Sequence, residues 1–515
     1  MKITAQLISS NIATNYLSTI ATFLYTLLLT PFILNHIGVE LYGVWLTCQI
    51  LVSYLSYLDL ETDTALVKYL AQYWSDHDTA EADGLFTTLF FTYCFIGLIV
   101  FLCSMYFGKI IVPYLRMSYP FSSAAIDVFP LIGFNVMIGY LALAFNCALM
   151  AKAEHSVINV LSIVSSVTSG LLTLWVLSVG GMLSELILID SLVHVLKLGV
   201  TSIYVLKLRN FVSIGASRFD LSYFRKIQVF TLWYFLANSL GDCLAKLSTL
   251  YISACFSVSH LTAVSMYFKL PDVLEAIAKP VYSFFMPIAS NLNGKQDYIN
   301  LRRMHLLGTR MVLLIILPAL VLFYVKGNQI LELWLGDRFI FLDWVLPVVL
   351  TTGAINIIST PAHLIVIGVG GVKLSFKSQL ITAALTLILI GCLWPLENTA
   401  EVIIAFCLAD LVVEIFYFIP KSCQVIKIRL SHLIKRIYIP FLSMSILMIV
   451  LAHYFFTILS DNSLFNLSFA SIMLLSMTLL GGATVILDKE DKAYLFRSVS
   501  ELFSARRGRL LKLQK

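Results

Sequence analysis

Charge is what this sequence has least of. Of 515 residues, 12% are Asp, Glu, Lys or Arg and 59% are hydrophobic, and the mean hydropathy is +0.90. Soluble chains average about 25% charged residues. So few charges cannot cover so apolar a core, which excludes a chain of water-soluble domains even though its length allows two or three. The nine cysteines (Cys48, Cys94, Cys103, Cys147, Cys243, Cys255, Cys392, Cys407 and Cys423) lie mostly within apolar runs and form no CxxC pair. That excludes a disulfide framework or a zinc site and leaves small buried hydrophobes. No cleavable signal peptide stands out: the run Ile3 to Val39 has no Asp, Glu, Lys or Arg and no small-residue cleavage site, and reads as a retained first span. A GxxxxGK[ST] loop is missing, so ATP hydrolysis by this chain is not expected.

What is present is long apolar runs. A helix needs about 20 mostly apolar residues to cross a bilayer. Fourteen runs qualify, near 11–35, 41–60, 85–107, 125–149, 156–179, 185–206, 227–255, 262–288, 307–325, 344–368, 376–394, 401–420, 436–459 and 465–487. The predicted fold is therefore an all-α polytopic membrane protein. An even count puts both ends on one side. With that side cytoplasmic, the inner loops hold Lys207, Arg209, Arg218, Arg225, Lys226, Lys295, Arg302, Arg303, Lys373, Lys377, Lys421, Lys427, Arg429, Lys435 and Arg436, and the tail from Lys489 adds eight more. The outer loops hold only Lys109, Arg116, Lys326 and Arg338. This bias follows the positive-inside rule. It also accounts for the net charge of +6 without a nucleic-acid partner. The basic tail either sets topology or lies on anionic headgroups.

The spans fold onto themselves. Ala71 and Asp78 match Ala289 and Asp297; Tyr114-Leu115 matches Trp334-Leu335; Asp127 and Pro130 match Asp343 and Pro347; Asn135 and Lys152 match Asn356 and Lys373. Every offset falls between 216 and 221. The spacing predicts two pseudo-symmetric six-helix bundles, 1–208 and 226–425, joined by a cytoplasmic linker at 209–225. A helix pair at 430–488 and a basic tail at 489–515 follow. Duplicated transporters of this kind hold substrate between their repeats.

Ionisable groups at membrane depth cost about 2.5 kcal/mol or more each and mark interiors or wet cavities. Here they align. Asn238, Asp242 and Lys246 are four apart, continued by Thr249 and Ser253; Lys269, Asp272, Glu275 and Lys279 follow at three, three and four. Asp190, His194 and Lys197 share a face, and Asp410 and Glu414 do the same. Asn11, Asn15, Ser18, Thr22 and Thr26 form an uncharged stripe, and Asp59, Glu61 and Asp63 close the second span. Two readings stand side by side. In one, Asp242–Lys246 and Glu275–Lys279 pair and hold the bundle. In the other, a hydrated cavity uses Lys246, Lys269, Lys197, Asn238 and Asn15 to attract an anionic headgroup, while Asp242, Asp272, Glu275 and Asp59 couple ions. His194 and His363 read as lone packing histidines.

The stretches TPFILNHIGVELYGVWLTCQILVSYLSYLDL (30–60) and ALVKYLAQYWSDHD (65–78), with Pro31, Gly38, Tyr42, Gly43, Asp59, Lys68 and Tyr69, resemble the opening of Wzx-type polysaccharide flippases of the multidrug/oligosaccharidyl-lipid/polysaccharide exporter superfamily. PIASNLNGKQD (287–297) and ILELWLGDRF (330–339) resemble later segments of the same family. Glu61 departs from the Gly common there. The resemblance implies alternating access in the bacterial inner membrane with both termini cytoplasmic. The cargo it implies is an undecaprenyl-pyrophosphate-linked oligosaccharide (an O-antigen, capsule or exopolysaccharide unit), driven by protons or sodium and without a cofactor. Membrane lipids and the polysaccharide polymerase with its chain-length machinery are the implied partners. The competing readings are a drug or peptidoglycan-precursor exporter on the same fold, and a membrane polymerase or ligase. The outer loops near 108–124 and 326–343 carry no metal-ligand cluster or nucleophile–base pair, which argues against the enzyme.

Overall fold

The computed structural model describes residues 5–59, 62–114, 117, 119–209, 211–225, 227, 228, 231, 232, 235, 246, 250–336, 344–392, 399–458, 476, 477 and 481. Among them there are helices and turns and no strand. The helices are α1 (Ala5–Leu55), α2 (Thr62–Ser75), α3 (Thr79–Ile111), α4 (Phe121–Ala151), α5 (His155–Ser178), α6 (Leu183–Ile203), α7 (Val258–Tyr282), α8 (Phe285–Gly294), α9 (Tyr298–Leu335), α10 (Leu346–Gly368), α11 (Val372–Cys392), α12 (Thr399–Val413), α13 (Ile419–Ile426), α14 (Leu430–Leu433) and α15 (Ile439–Ile458). Single π-turns follow α6 (Tyr204–Leu208), α12 (Glu414–Phe418) and α14 (Ile434–Tyr438).

Ten helical segments among the described residues are long and apolar enough to cross a membrane. The first, Leu17–Ser75, holds two of the expected spans. Gly38 separates them at φ 87°, a left-handed conformation that costs glycine nothing and any other residue strain. The expected spans at 227–255 and 465–487 fall largely outside the described residues. The span expected at 262–288 is α7 with α8. Polytopic membrane architecture also explains the surface. Leu171, Trp175, Leu196, Phe416 and Ile446 are all well exposed, a pattern that water does not tolerate and hydrocarbon does.

The chain divides into two compact units. The first comprises Met1–Lys269, Leu331–Val345 and Ser375–Asp410; the second comprises Leu270–Ile330, Leu346–Leu374 and Leu411–Lys515. In the first unit, α3 and α4 pack through small residues. A Cβ on Gly133 would fall 1.9 Å from Ser104 Oγ, and one on Gly108 would fall 3.0 Å from Phe129. Small residues let helices approach in lipid, where packing replaces the hydrophobic effect. Gly43 does the same where α1 meets α7, since its Cβ would lie 2.2 Å from the Val258 carbonyl oxygen. Beside it, Thr262 Oγ1 donates to Val39 O at 3.0 Å, and Thr47 and Ser253 share a hydrogen bond of 3.0 Å. In the second unit, Gly368 of α10 lies against the backbone of α8 at Met286.

Two pairs of turns share one hydrogen-bond pattern. After α2, Asp76, His77 and Asp78 donate to the carbonyls of Gln72, Trp74 and Tyr73; after α8, Lys295, Gln296 and Asp297 donate to Asn291, Asn293 and Leu292. His77 and Gln296 are both left-handed, at φ 61° and 56°. Asp78 and Asp297 then cap the following helices, each accepting at 3.1 Å from the N–H three residues on. A second pair of turns repeats the pattern, with Ala153 and Gly370 left-handed at φ 60° and 89°.

The residues from 211 to 225 lie on α2 and α3. Ser213 N–H donates to Asp83 Oδ1 at 2.9 Å, Arg218 Nη1 sits 2.6 Å from Asp83 Oδ2, and Asp220 N–H donates to Thr88 at 3.1 Å. Tyr223 packs over Gly84, and burial pushes its phenol up to about 12. Lys152 Nζ lies 3.8 Å over the Trp74 ring, and burial there lowers its pKa against the pull of Glu154.

Candidate functional site

The C-terminal part of α1 carries Trp45, Gln49, Ser53 and, just past its end, Ser56. Spacings of four, four and three put them on one face. Opposite stand Ile132, Asn135 and Val136 of α4 and Ile187 and Asp190 of α6, and together these side chains line a cavity of about 220 Å³. Drug-sized ligands occupy roughly 300–1,000 Å³, so this space suits one sugar ring or a hydrated ion. Its polar groups converge. Asn135 Oδ1 is buried with no hydrogen-bond partner. A shut-in amide oxygen left that way costs about 1–3 kcal/mol, which a ligand hydroxyl, a cation or a water recovers.

Asp190 is the charged wall of the cavity. Ser169 Oγ donates to it at 3.4 Å, Ser169 shares a hydrogen bond of 3.3 Å with Tyr25, and His194 Nδ1 sits 3.5 Å from its other oxygen. His194 is therefore paired one helical turn from Asp190, which corrects the reading of it as a lone histidine. This chain of contacts ties α1, α5 and α6 together.

One turn below, α1 ends in the 3₁₀ turn Ser56–Asp59. The Ser56 carbonyl accepts the Tyr140 hydroxyl. Lys246 Nζ donates to Tyr57 Oη at 2.9 Å and lies 4.8 Å from the centre of that ring. Tyr54 and Phe235 meet Tyr57 edge-on, with centroids 6.4 and 5.9 Å away. A cation set among rings at the end of a polar stripe can bind an anion and a sugar face together. Asp59 is in electrostatic range of Tyr140, Tyr93 and Cys147.

The other expected site residues are more dispersed. Lys197 of α6 donates to Ser162 of α5 at 3.0 Å. Asn15 is exposed on α1, one residue from Thr14, which accepts from Asn159 at 3.2 Å. Lys269 is half-buried on α7, and Asp272 and Glu275 are exposed on the same helix. Asn238 and Asp242 lie outside the described residues. Trp45, Gln49 and Asn135 do not stand out as lining residues in the sequence. Their signal is the helical spacing of Trp45, Gln49 and Ser53, which carries no charge and hides within an apolar run. Among the described residues no group of His, Cys, Asp and Glu is arranged to hold a metal.

The family model described as "Polysaccharide biosynthesis protein" matches residues 37–342, well over half of the chain and all of the cavity-lining residues. The chain belongs to that family. No curated protein matches this family member in sequence. Its fold is similar to that of a lipid II flippase, MurJ, in an inward closed conformation, with 11% identity, TM-score 0.70, and 94% of this chain and 98% of that one covered. It is also similar to a MATE multidrug transporter, DinF-BH, with 16% identity, TM-score 0.62, and 83% and 98% covered. A transporter of the MOP superfamily from Pyrococcus furiosus aligns at 12% identity and TM-score 0.57, with 82% and 95% covered. This member of the polysaccharide biosynthesis family is thus a multi-pass membrane protein whose fold is similar to that of these transporters.

Proposed function

We propose that this chain is a flippase. It moves an undecaprenyl-pyrophosphate-linked oligosaccharide, a repeat unit of O-antigen, capsule or exopolysaccharide, across the bacterial inner membrane by alternating access, with both termini cytoplasmic. The observation that carries the reading is Lys246 held on Tyr57 beside the Trp45–Ser56 stripe. An ammonium group is a compact point charge with three donors, suited to a pyrophosphate. Trp45, Tyr54 and Tyr57 offer faces for the sugar. The lipid tail has no need of the cavity and stays in the bilayer.

In this reading Lys246, Lys269, Lys197, Asn15 and Asn238 meet the headgroup, and Asp59, Asp242, Asp272 and Glu275 are candidates for ion coupling. The step is translocation, with no bond made or broken, so the chain is not an enzyme. The test is complementation of a flippase-null strain. Lys246→Ala is expected to abolish surface polysaccharide at normal protein levels, and wild-type polysaccharide in that variant overturns the anchor role. The likeness to a lipid II flippase favours a second reading, a peptidoglycan precursor as headgroup. Rescue of a strain lacking its lipid II flippase, with no rescue of the polysaccharide strain, selects it.

A further inference from the structure

The second unit contains a buried acid–base pair that the cavity does not use. Glu414 Oε1 and Oε2 lie 3.2 and 3.3 Å from His363 Nε2 of α10. The Glu414 side chain is 6% exposed and that of His363 22%. The imidazole also lies flat on Phe418, with ring centroids 3.5 Å apart and planes 4° from parallel. His363 reads from the sequence as a lone packing residue; the fold corrects that by giving it a carboxylate.

The backbone at this point is unusual. Glu414 and Phe418 are the first and last residues of a π-turn, so one wide turn delivers both the carboxylate and the ring to the same histidine. Single π-turns inside α-helices recur at functional sites. A second π-turn brings Tyr438 within electrostatic range of Glu414, with Cys423 of α13 beside it. On its own helix Glu414 is followed by Tyr417 and preceded one turn earlier by Asp410. The helix α8, which packs on α10 at Gly368, has no titratable side chain. The same α8 receives Gly308 of α9 at Phe285, and α9 brings the buried His305 and Arg310 to this end of the unit. Tyr324 of α9 meets α10 at Thr351, twelve residues from His363.

We infer that His363 and Glu414 form a proton-binding site whose occupancy is tied to the transport cycle. With one exchangeable proton between them the pair has net charge zero, whether written as imidazolium with carboxylate or as imidazole with carboxylic acid. Release of that proton to water leaves imidazole with carboxylate, a net charge of −1. At membrane depth an unpaired charge is costly. The buried pair therefore keeps its proton while enclosed and yields it when a conformation admits water. That is the linkage a coupled transporter needs: the closed form holds the proton and an open form exchanges it.

This inference rests on the reading of the chain as a transporter, and the experiment separates the two. Full-length protein in lipid nanodiscs is taken through a pH step with a soluble pH dye. Wild type is expected to take up one more proton per chain than Glu414→Gln, and equal uptake overturns the site. In vesicles carrying a fluorescent undecaprenyl-pyrophosphate sugar, a pH gradient is expected to accelerate flipping by wild type and by Phe418→Leu, which keeps both ionisable groups. Glu414→Gln and His363→Gln should flip downhill without responding to the gradient. A gradient response retained in Glu414→Gln overturns the proposal. Wild type that moves no lipid-linked sugar defeats the transport reading, while the dye measurement still decides the proton site. If Glu414→Gln does not fold, Glu414→Asp keeps a shorter carboxylate and must shift the pH midpoint of uptake; an unshifted midpoint overturns the site as well.

Discussion

Trp334 donates its indole N–H to the carbonyl of Leu27 at 2.6 Å. Leu27 lies four residues before Pro31 on α1. In an unbroken helix its carbonyl accepts the N–H of residue 31, which proline lacks. The last turn of α9 thus supplies the donor that α1 cannot. Trp334→Phe keeps the ring and removes that donor, and is expected to destabilise the first unit by about 1–3 kcal/mol. Pro31→Ala restores a donor within α1, so the double variant should recover most of the loss. Thermal melts of the four proteins in detergent form the cycle, and additive losses contradict the account.

The unpaired oxygen of Asn135 makes the cavity a place where stability and function oppose each other. Asn135→Leu removes the orphaned group and fills space with apolar atoms. The expected outcome is a gain of about 1 kcal/mol in stability together with loss of polysaccharide export. Melting temperature and complementation of the flippase-null strain measure the two sides, and intact export places the cavity outside the transport path.

Asp83 anchors the segment from Ser213 to Arg218 through two side-chain contacts and one backbone N–H. Asp83→Ala should release that segment while the helices stay packed. The expected signature is faster proteolysis between residues 211 and 220 with little change in the global melt. The local opening free energy should fall by about 1.5–3 kcal/mol, toward the lower end because Arg218 is half exposed.

The repeated caps should behave alike. Asp78→Ala and Asp297→Ala each remove an acceptor from the first turn of a long helix, and each is expected to speed hydrogen exchange at Glu81 and Asn300 respectively. For Asp297 there is also a pH signature. The Asn300 side chain and backbone N–H hold its carboxyl below its usual value. Its capping is therefore fully present above the unfolded carboxylate value near ~3.9 and fades as pH falls through the lower folded value. Exchange at Asn300 that does not respond to acid over that window removes the cap from the account.

Much of the fold was legible in residues alone, because a bilayer imposes a simple rule. Long runs without charge must be helices that satisfy their own backbone, and composition together with loop charge needs no knowledge of neighbours. Gly38 entered only through the family resemblance, and the left-handed turns at His77 and Gln296 and the caps at Asp78 and Asp297 came into view only with the backbone. The matched pair Asp78 and Asp297 appeared in the sequence as a faint identity, and in the structure both follow turns with the same hydrogen bonds.

Partnership was another matter. The sequence determined that Lys246, Asp190, His363 and Glu414 lie within apolar spans, and that such groups need a reason to be there. Only the tertiary structure decided their company. Lys246 meets Tyr57, Asp190 meets Ser169 and walls a cavity with Asn135, and His363 finds Glu414 across fifty-one residues. Helical periodicity tells which residues share a face of one helix. Which face of which other helix lies opposite depends on packing between elements distant in the chain, and small residues such as Gly43, Gly108 and Gly133 set that packing by letting backbones approach.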